Sequence, residues 1–186
     1  MPRLPNLTNR ADVPEELLGA YDRVAEQRNG TVSGPYGVLL HSEEVAVRGA
    51  TLGSYVRFRS ALTPVQREVA ILTAARELNA AVMWAGHVQL ARDAGVSART
   101  IETIANRHDP ATASEEEAEI IRYVRELHRE HRISDETFEA LHARLGDKGI
   151  VDLTGLVGYY GFVGAVLNAF EIDPPEGAPK LPPVTS

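Results

Sequence analysis

Residues Leu153 to Phe170, LTGLVGYYGFVGAVLNAF, pass without one charged side chain, and this run constrains the fold more than any other part of the chain. Its length approaches that at which a membrane span becomes conceivable. Its flanks argue against one, because Asp152, Glu171 and Asp173 are acidic and no Lys/Arg-rich edge marks a cytoplasmic side. A helix that is apolar all round has to be buried in something, so the run is read as a core or interface helix and no membrane is expected. The rest of the chain must then supply the surface that covers it.

That surface reads as more helices. Pro14 with Glu15 and Glu16 opens a helix toward Asn29-Gly30, with proline in the first turn and acids at the positive end of the dipole. After a turn-rich loop and the apolar YGVLLH, Ser42 is a candidate cap for a helix to Arg59. Thr63-Pro64-Val65-Gln66 starts the next, ending near Asn79, and Gly95 closes the one after it in a left-handed conformation. Ser97 begins a short helix to about His108, and Ser114 with Glu117 makes a capping box for a helix to about Arg132. Ser134 starts a helix ended by Gly146, and the last helix covers about Lys148 to Phe170. From about 172 to 186 the chain is proline-rich and is expected to be an extended arm. No period-two alternation competes with these signals, so the class is all-α, with seven or eight helices in one domain over 1–186.

Composition removes whole classes of function. The 186 residues hold 19 Lys and Arg against 26 Asp and Glu, a net charge of −7, so no positive field gathers phosphates and nucleic acid is not expected as a partner. With no cysteine there is no disulfide, thiolate metal site or thiol nucleophile. MPRLPNLTNRADVPEE has neither the basic-then-apolar order nor the cleavage site of a secretory signal, so a cytoplasmic protein is expected.

Two residues carry the chemistry that remains. Glu68 has Val65, Ile71 and Leu72 one turn away and shares their inward face, where a carboxylate either finds a partner or has its pKa raised. Glu77, next to Thr73, is expected in solvent. His87 projects from a stripe of Met83, Trp84, Leu90 and Ala91. The two helices are joined by a short link near Asn79 and should pack antiparallel, which would bring Glu68 to His87. A carboxylate on an imidazole sets its tautomer and raises its basicity, as acid–base catalysis requires; a structural acid and a satisfied core histidine are the alternatives. His128 and His131 sit one turn apart among Arg122, Arg125, Arg129 and Arg132, without the order of a zinc helix, and are read as a solvated face. No metal site is expected. Gly155, Gly158, Gly161 and Gly164 recur every third residue and are read as packing positions.

The run from Glu68 to Leu78, followed by Trp84-Ala-Gly-His87-Val-Gln-Leu-Ala91-Arg-Asp-Ala-Gly95, resembles the carboxymuconolactone decarboxylase family, which includes AhpD-like alkylhydroperoxidases. The family pattern is a glutamate, a C-x-x-C pair, then H-x-x-x-A-x-x-x-G. Here the cysteine positions hold Ala80 and Met83, so the resemblance is to a cysteine-less branch, and AhpD-type peroxide reduction is excluded on chemical grounds. The resemblance implies an AhpD-like helical bundle assembled into homo-oligomers, trimers or hexamers, and a reaction without metal or organic cofactor. It further implies His87 as proton-transfer group with Glu68 setting its tautomer, in a pocket walled by Trp84 and Met83. Tyr159 or Tyr160 would donate a hydrogen bond there while the other packs in the core, and His41 would line the same pocket or else take a surface or capping role.

Three readings follow. One is a decarboxylase-like lyase on a small anionic or lactone-type molecule. Another is a hydrolase, isomerase or cyclase using the same pair. The third is a non-catalytic oligomeric ligand-binding protein. An anionic substrate in an acidic protein needs a local cation, and no arginine can be assigned to that task from the sequence.

Overall fold

The computed structural model describes residues 2–183, so the end of the expected arm, 184–186, lies outside the described residues. Among the described residues there are eight α-helices and no strand. They are α1 (Leu18–Glu26), α2 (Tyr36–Leu39), α3 (Glu43–Phe58), α4 (Pro64–Glu77), α5 (Ala81–Ala94), α6 (Ala98–Ala105), α7 (Glu115–Arg129) and α8 (Asp135–Ala169).

The centre is α4. Thr63 and Gln66 close a reciprocal capping box, the Thr63 hydroxyl accepting from the Gln66 amide at 3.2 Å while the Gln66 side chain accepts from the Thr63 amide at 2.8 Å. From Glu68 to Arg76 every residue is buried, because α5, α6, α7 and α8 all pack on this one helix. Small residues on all sides, Ala70, Ala74 and Ala75, let those neighbours approach, and the Thr73 hydroxyl is satisfied by the Val69 carbonyl at 2.7 Å. Each fully buried aliphatic side chain here contributes about 1.5–3 kcal/mol relative to exposure.

The uncharged run is the second half of α8. It is long and apolar enough for a membrane span, but it packs on α3, α4, α5 and α7 and its apolar window is 61% buried, so it is a core helix of this fold. Gly146, at φ 66° and ψ 179°, breaks α8 where a helix end is expected from the sequence, although the axis resumes without a loop. Of the repeated glycines only Gly164 is at a close approach, where an added Cβ would collide with the Leu78 side chain; Gly158 has open space around it.

Several boundaries differ from expectation. The first helix starts as a 3-10 turn over Glu15–Leu17 and ends at Glu26, with Asn29 and Gly30 both left-handed beyond it. α6 and α7 end three residues earlier, since Arg107 and His131 take positive φ at the exits. Ser42 sits at the N-cap of α3 without a side-chain cap bond, leaving Glu43 and Glu44 to complement the dipole. The arm, as far as it is described, does not extend away: Leu181 packs on the main core and the Pro182 carbonyl accepts from Arg76 at 2.8 Å.

Candidate active site

The turn at Leu78–Ala80, with Asn79 at φ 49°, folds α5 back along α4. This brings Glu68 and His87, nineteen residues apart, to 2.7 Å between Oε2 and Nδ1. Both are buried, and the second Glu68 oxygen lies 3.5 Å from the Arg67 guanidinium. On the far side of the ring, Nε2 receives the Tyr160 hydroxyl at a long 3.3 Å, with the two rings edge to face.

The protonation states follow from these surroundings. Burial pushes the His87 pKa below its ordinary value against the pull of Glu68, and the charges of Arg57 and Arg67 push the same way. For Glu68 burial acts upward, but the His87 hydrogen bond and the nearby His87 and arginine charges outweigh it and hold the carboxyl below its usual range. The pair is therefore a carboxylate and a neutral imidazole at neutral pH. Nδ1–H donates to Glu68, which leaves the Nε2 lone pair as a base directed to the far side of the ring.

On that side lies a cavity of about 330 Å³. His87, Met83, Val82, Gly86 and Leu90 of α5 line it, with Tyr159, Tyr160, Val163 and Leu167 of α8, Arg57 of α3, Tyr36 of α2, and Arg28, Ser33, Gly34 and Pro35 of the loop between α1 and α2. Pro175 and Ala178 of the C-terminal segment complete the wall. The Tyr36 and Tyr159 hydroxyls are 2.6 Å apart, the Arg28 guanidinium lies 4.3 Å from the centre of the Tyr36 ring, and the Tyr159 and Tyr160 rings meet edge to face. Burial raises the pKa of all three phenols, so they stay protonated as donors. Among the described residues the Nε atoms of Arg28 and Arg57 are buried without a hydrogen-bond partner. Among the described residues no group of histidine, aspartate and glutamate side chains has the arrangement to hold a metal ion.

The residues singled out from the sequence divide here. Glu68 and His87 come together, and Met83, Tyr159 and Tyr160 all reach the cavity, so neither tyrosine is only a core residue. Trp84 does not line this cavity; one residue along α5 from Met83, it turns into the main core at 3% exposure. His41 is also elsewhere, its Nε2 2.9 Å from the Pro5 carbonyl on the surface. Glu77 is not solvated: its side chain is 4% exposed and takes a bidentate pair of 2.7 Å bonds from Arg129, with Arg107 and Arg125 close by. His128 is half-buried, its Nε2 without a partner among the described residues, so that helix face is not simply solvated either.

Arg28, Arg57 and Tyr36 are the site residues that sequence reasoning missed. Arg57 did leave a signal: Ala46, Ala50, Gly53 and Arg57 fall on one helical face, so the guanidinium continues a buried stripe of small residues. Arg28 and Tyr36 belong to a loop and a single-turn helix, where no period predicts direction.

The sequence profile of the Carboxymuconolactone decarboxylase family matches residues 45–126, a segment that holds both Glu68 and His87. Among solved structures, a protein of unknown function from Agrobacterium tumefaciens, described as a candidate antioxidant defence protein AhpD, matches with a TM-score of 0.65. The identity is 22%, over 74% of this chain and 95% of that one, so the likeness is one of fold. No curated protein matches the sequence.

Proposed function

Residues 45–126 are a carboxymuconolactone decarboxylase family segment in a cysteine-free, AhpD-like all-helical fold, and on that premise we propose a cofactor-independent, decarboxylase-like enzyme. His87 is its proton-transfer group, Glu68 orients His87, and the substrate is a small anionic or lactone-type molecule. The observation that carries this reading is the 2.7 Å Glu68–His87 bond, buried on one side and opening on a cavity at the other.

The roles follow from the electrostatics. Glu68 fixes the tautomer in which Nε2 carries the lone pair, met only by the long 3.3 Å Tyr160 contact, so that it can take or return a proton. Arg28 and Arg57, both part-buried at the cavity wall, supply the local cations that an acidic chain needs to hold an anion. Val82, Met83, Val163 and Leu167 hold the apolar body. When a carboxylate leaves as carbon dioxide, its bonding pair passes into the unsaturated system, and a proton that His87 Nε2 has first taken up from solvent water passes to carbon, which completes the reaction and returns the imidazole to its neutral form. The same parts serve isomerisation equally well, since the proton that Nε2 removes from one carbon can be returned to another. Assembly into homo-oligomers and residence in the cytoplasm belong to this proposal as well.

The test is turnover of small carboxylated lactones and keto acids, followed by carbon dioxide release and by deuterium uptake at carbon in heavy water. Glu68→Gln, nearly isosteric, should lower the rate about 10²–10⁴-fold while the melting temperature holds. Absence of turnover and of exchange in the unmutated protein across the panel would sink the enzyme reading and favour a ligand-binding protein.

A further inference from the structure

Donor groups dominate the polar lining of the cavity, and one of them is a pair. The Tyr36 and Tyr159 hydroxyls, 2.6 Å apart, carry two protons between them, and the bond they share uses one. The rings are 1% and 4% exposed, and among the described residues neither hydroxyl has another acceptor, so the second proton is left for whatever occupies the cavity. Such a group is costly unless something binds it. The guanidiniums of Arg28 and Arg57 belong to the same lining, and among the described residues the Nε atom of each is buried without a hydrogen-bond partner. Arg28 stacks on Tyr36, and Arg57 is one turn beyond Gly53, whose missing side chain makes room for the Tyr159 hydroxyl. Among the described residues of the lining, His87 Nε2 is an acceptor, and it is already met by Tyr160.

A surplus of fixed donors in a part-apolar hollow calls for an acceptor-rich ligand that carries negative charge on oxygen. We infer that Tyr36 and Tyr159, flanked by Arg28 and Arg57, form an oxyanion-binding element that takes the enolate oxygen of a small enolisable carbonyl compound. The inference rests on the acid–base reading above only for its base. His87 Nε2 takes a proton from the carbon next to the carbonyl. The C–H bonding pair becomes the new C=C bond, and the C=O π pair moves onto oxygen, where the free phenolic proton and the guanidiniums receive it. Return of the same proton, to that carbon or to a conjugated one, restores the neutral imidazole and the carbonyl. No oxidant, reductant or co-reactant is consumed.

A phenolate is a stable analogue of an enolate, and 4-nitrophenol reports its own ionisation by colour. Titrated into the purified protein across neutral pH, it should bind with its phenolate form favoured at least tenfold over the phenol. Tyr159→Phe and Tyr36→Phe should each lower phenolate affinity about tenfold to a hundredfold, with less effect on the neutral phenol. Gly86→Phe, at a cavity-lining helical position where an added Cβ meets nothing, should block binding while the protein stays folded. Binding of the neutral phenol with no preference for the anion, phenolate affinity untouched in both tyrosine variants, or no binding at all would each overturn the oxyanion element. Should one tyrosine variant fail to fold, the ionisation preference of the unmutated protein and the other variant still decide. This binding needs no turnover, so an intact phenolate site without any proton exchange would sink the acid–base reading and leave the element standing.

Discussion

Helix α4 carries two carboxylates, and their fates differ. The side chains of Glu68 and Glu77 are equally buried, at 4% exposure. Glu77 sits among Arg107, Arg125 and Arg129, and three guanidiniums meet the carboxylate from α7 and from the exit of α6. Glu68 has one arginine at 3.5 Å, and its better oxygen is spent on a neutral imidazole whose other nitrogen faces a cavity. Burial alone therefore does not suit a carboxylate to acid–base work. What separates the two is the partner: an arginine stays protonated, whereas a histidine has a proton that can leave.

The comparison is broken most directly by exchanging each acid for its amide. Glu68→Gln should cost two to four orders of magnitude in rate with little change in unfolding temperature, while Glu77→Gln should do the reverse. In the latter, three arginines lose their buried counter-charge, and chemical denaturation should register a loss of about 3–5 kcal/mol. Equal stability losses from both variants would mean that both acids are structural.

Acidity sharpens the same contrast. The His87 pKa is depressed in the folded state, so over the interval below its ordinary value of about 6.5 the unfolded chain binds a proton that the folded one refuses. Stability should therefore fall as pH drops through that range, and His87→Asn should flatten that part of the profile. The rate should lose its base below the ordinary histidine value. In Glu68→Gln the residual rate should hold to still lower pH, because the carboxylate is what raises the His87 pKa against burial.

Gly53→Ala should have a smaller effect. The new methyl would occupy the place of the Tyr159 hydroxyl, so a loss of about 1–3 kcal/mol and a weakened Tyr36–Tyr159 bond are expected, read by thermal unfolding and phenolate binding. Smallest of all is Arg67→Gln: the part-exposed guanidinium is worth less than about 1 kcal/mol, and its removal should move the His87 pKa slightly upward, as a proton NMR titration would record.

Much of this was legible beforehand, and the reasons are local. The caps at Thr63, Ser97, Ser114 and Ser134 all close in the folded chain, because a hydroxyl and an amide three residues apart need no other partner. Glu68 and His87 were visible together, since a short link forces consecutive helices side by side. Trp84 was misplaced for want of a rotation angle: one residue along a helix is 100°, enough to separate the cavity-lining Met83 from a tryptophan in the core. The surroundings of Glu77 were hidden because Arg107, Arg125 and Arg129 come from other elements, and the Thr73 beside it says nothing about what packs above.

Sequence alone determined the helical class, the absence of sulfur chemistry, the burial of the uncharged run and the meeting of the acid with the imidazole. Each of these depends on composition, or on period and link length within neighbouring stretches. Tertiary structure decided where the hollow opens, that both tyrosines reach it, and that Arg28, Arg57 and Tyr36 join them from elements far away in the chain. The physical reason is that a cavity is what packing leaves unfilled, a property of the whole set of helices that no single segment encodes.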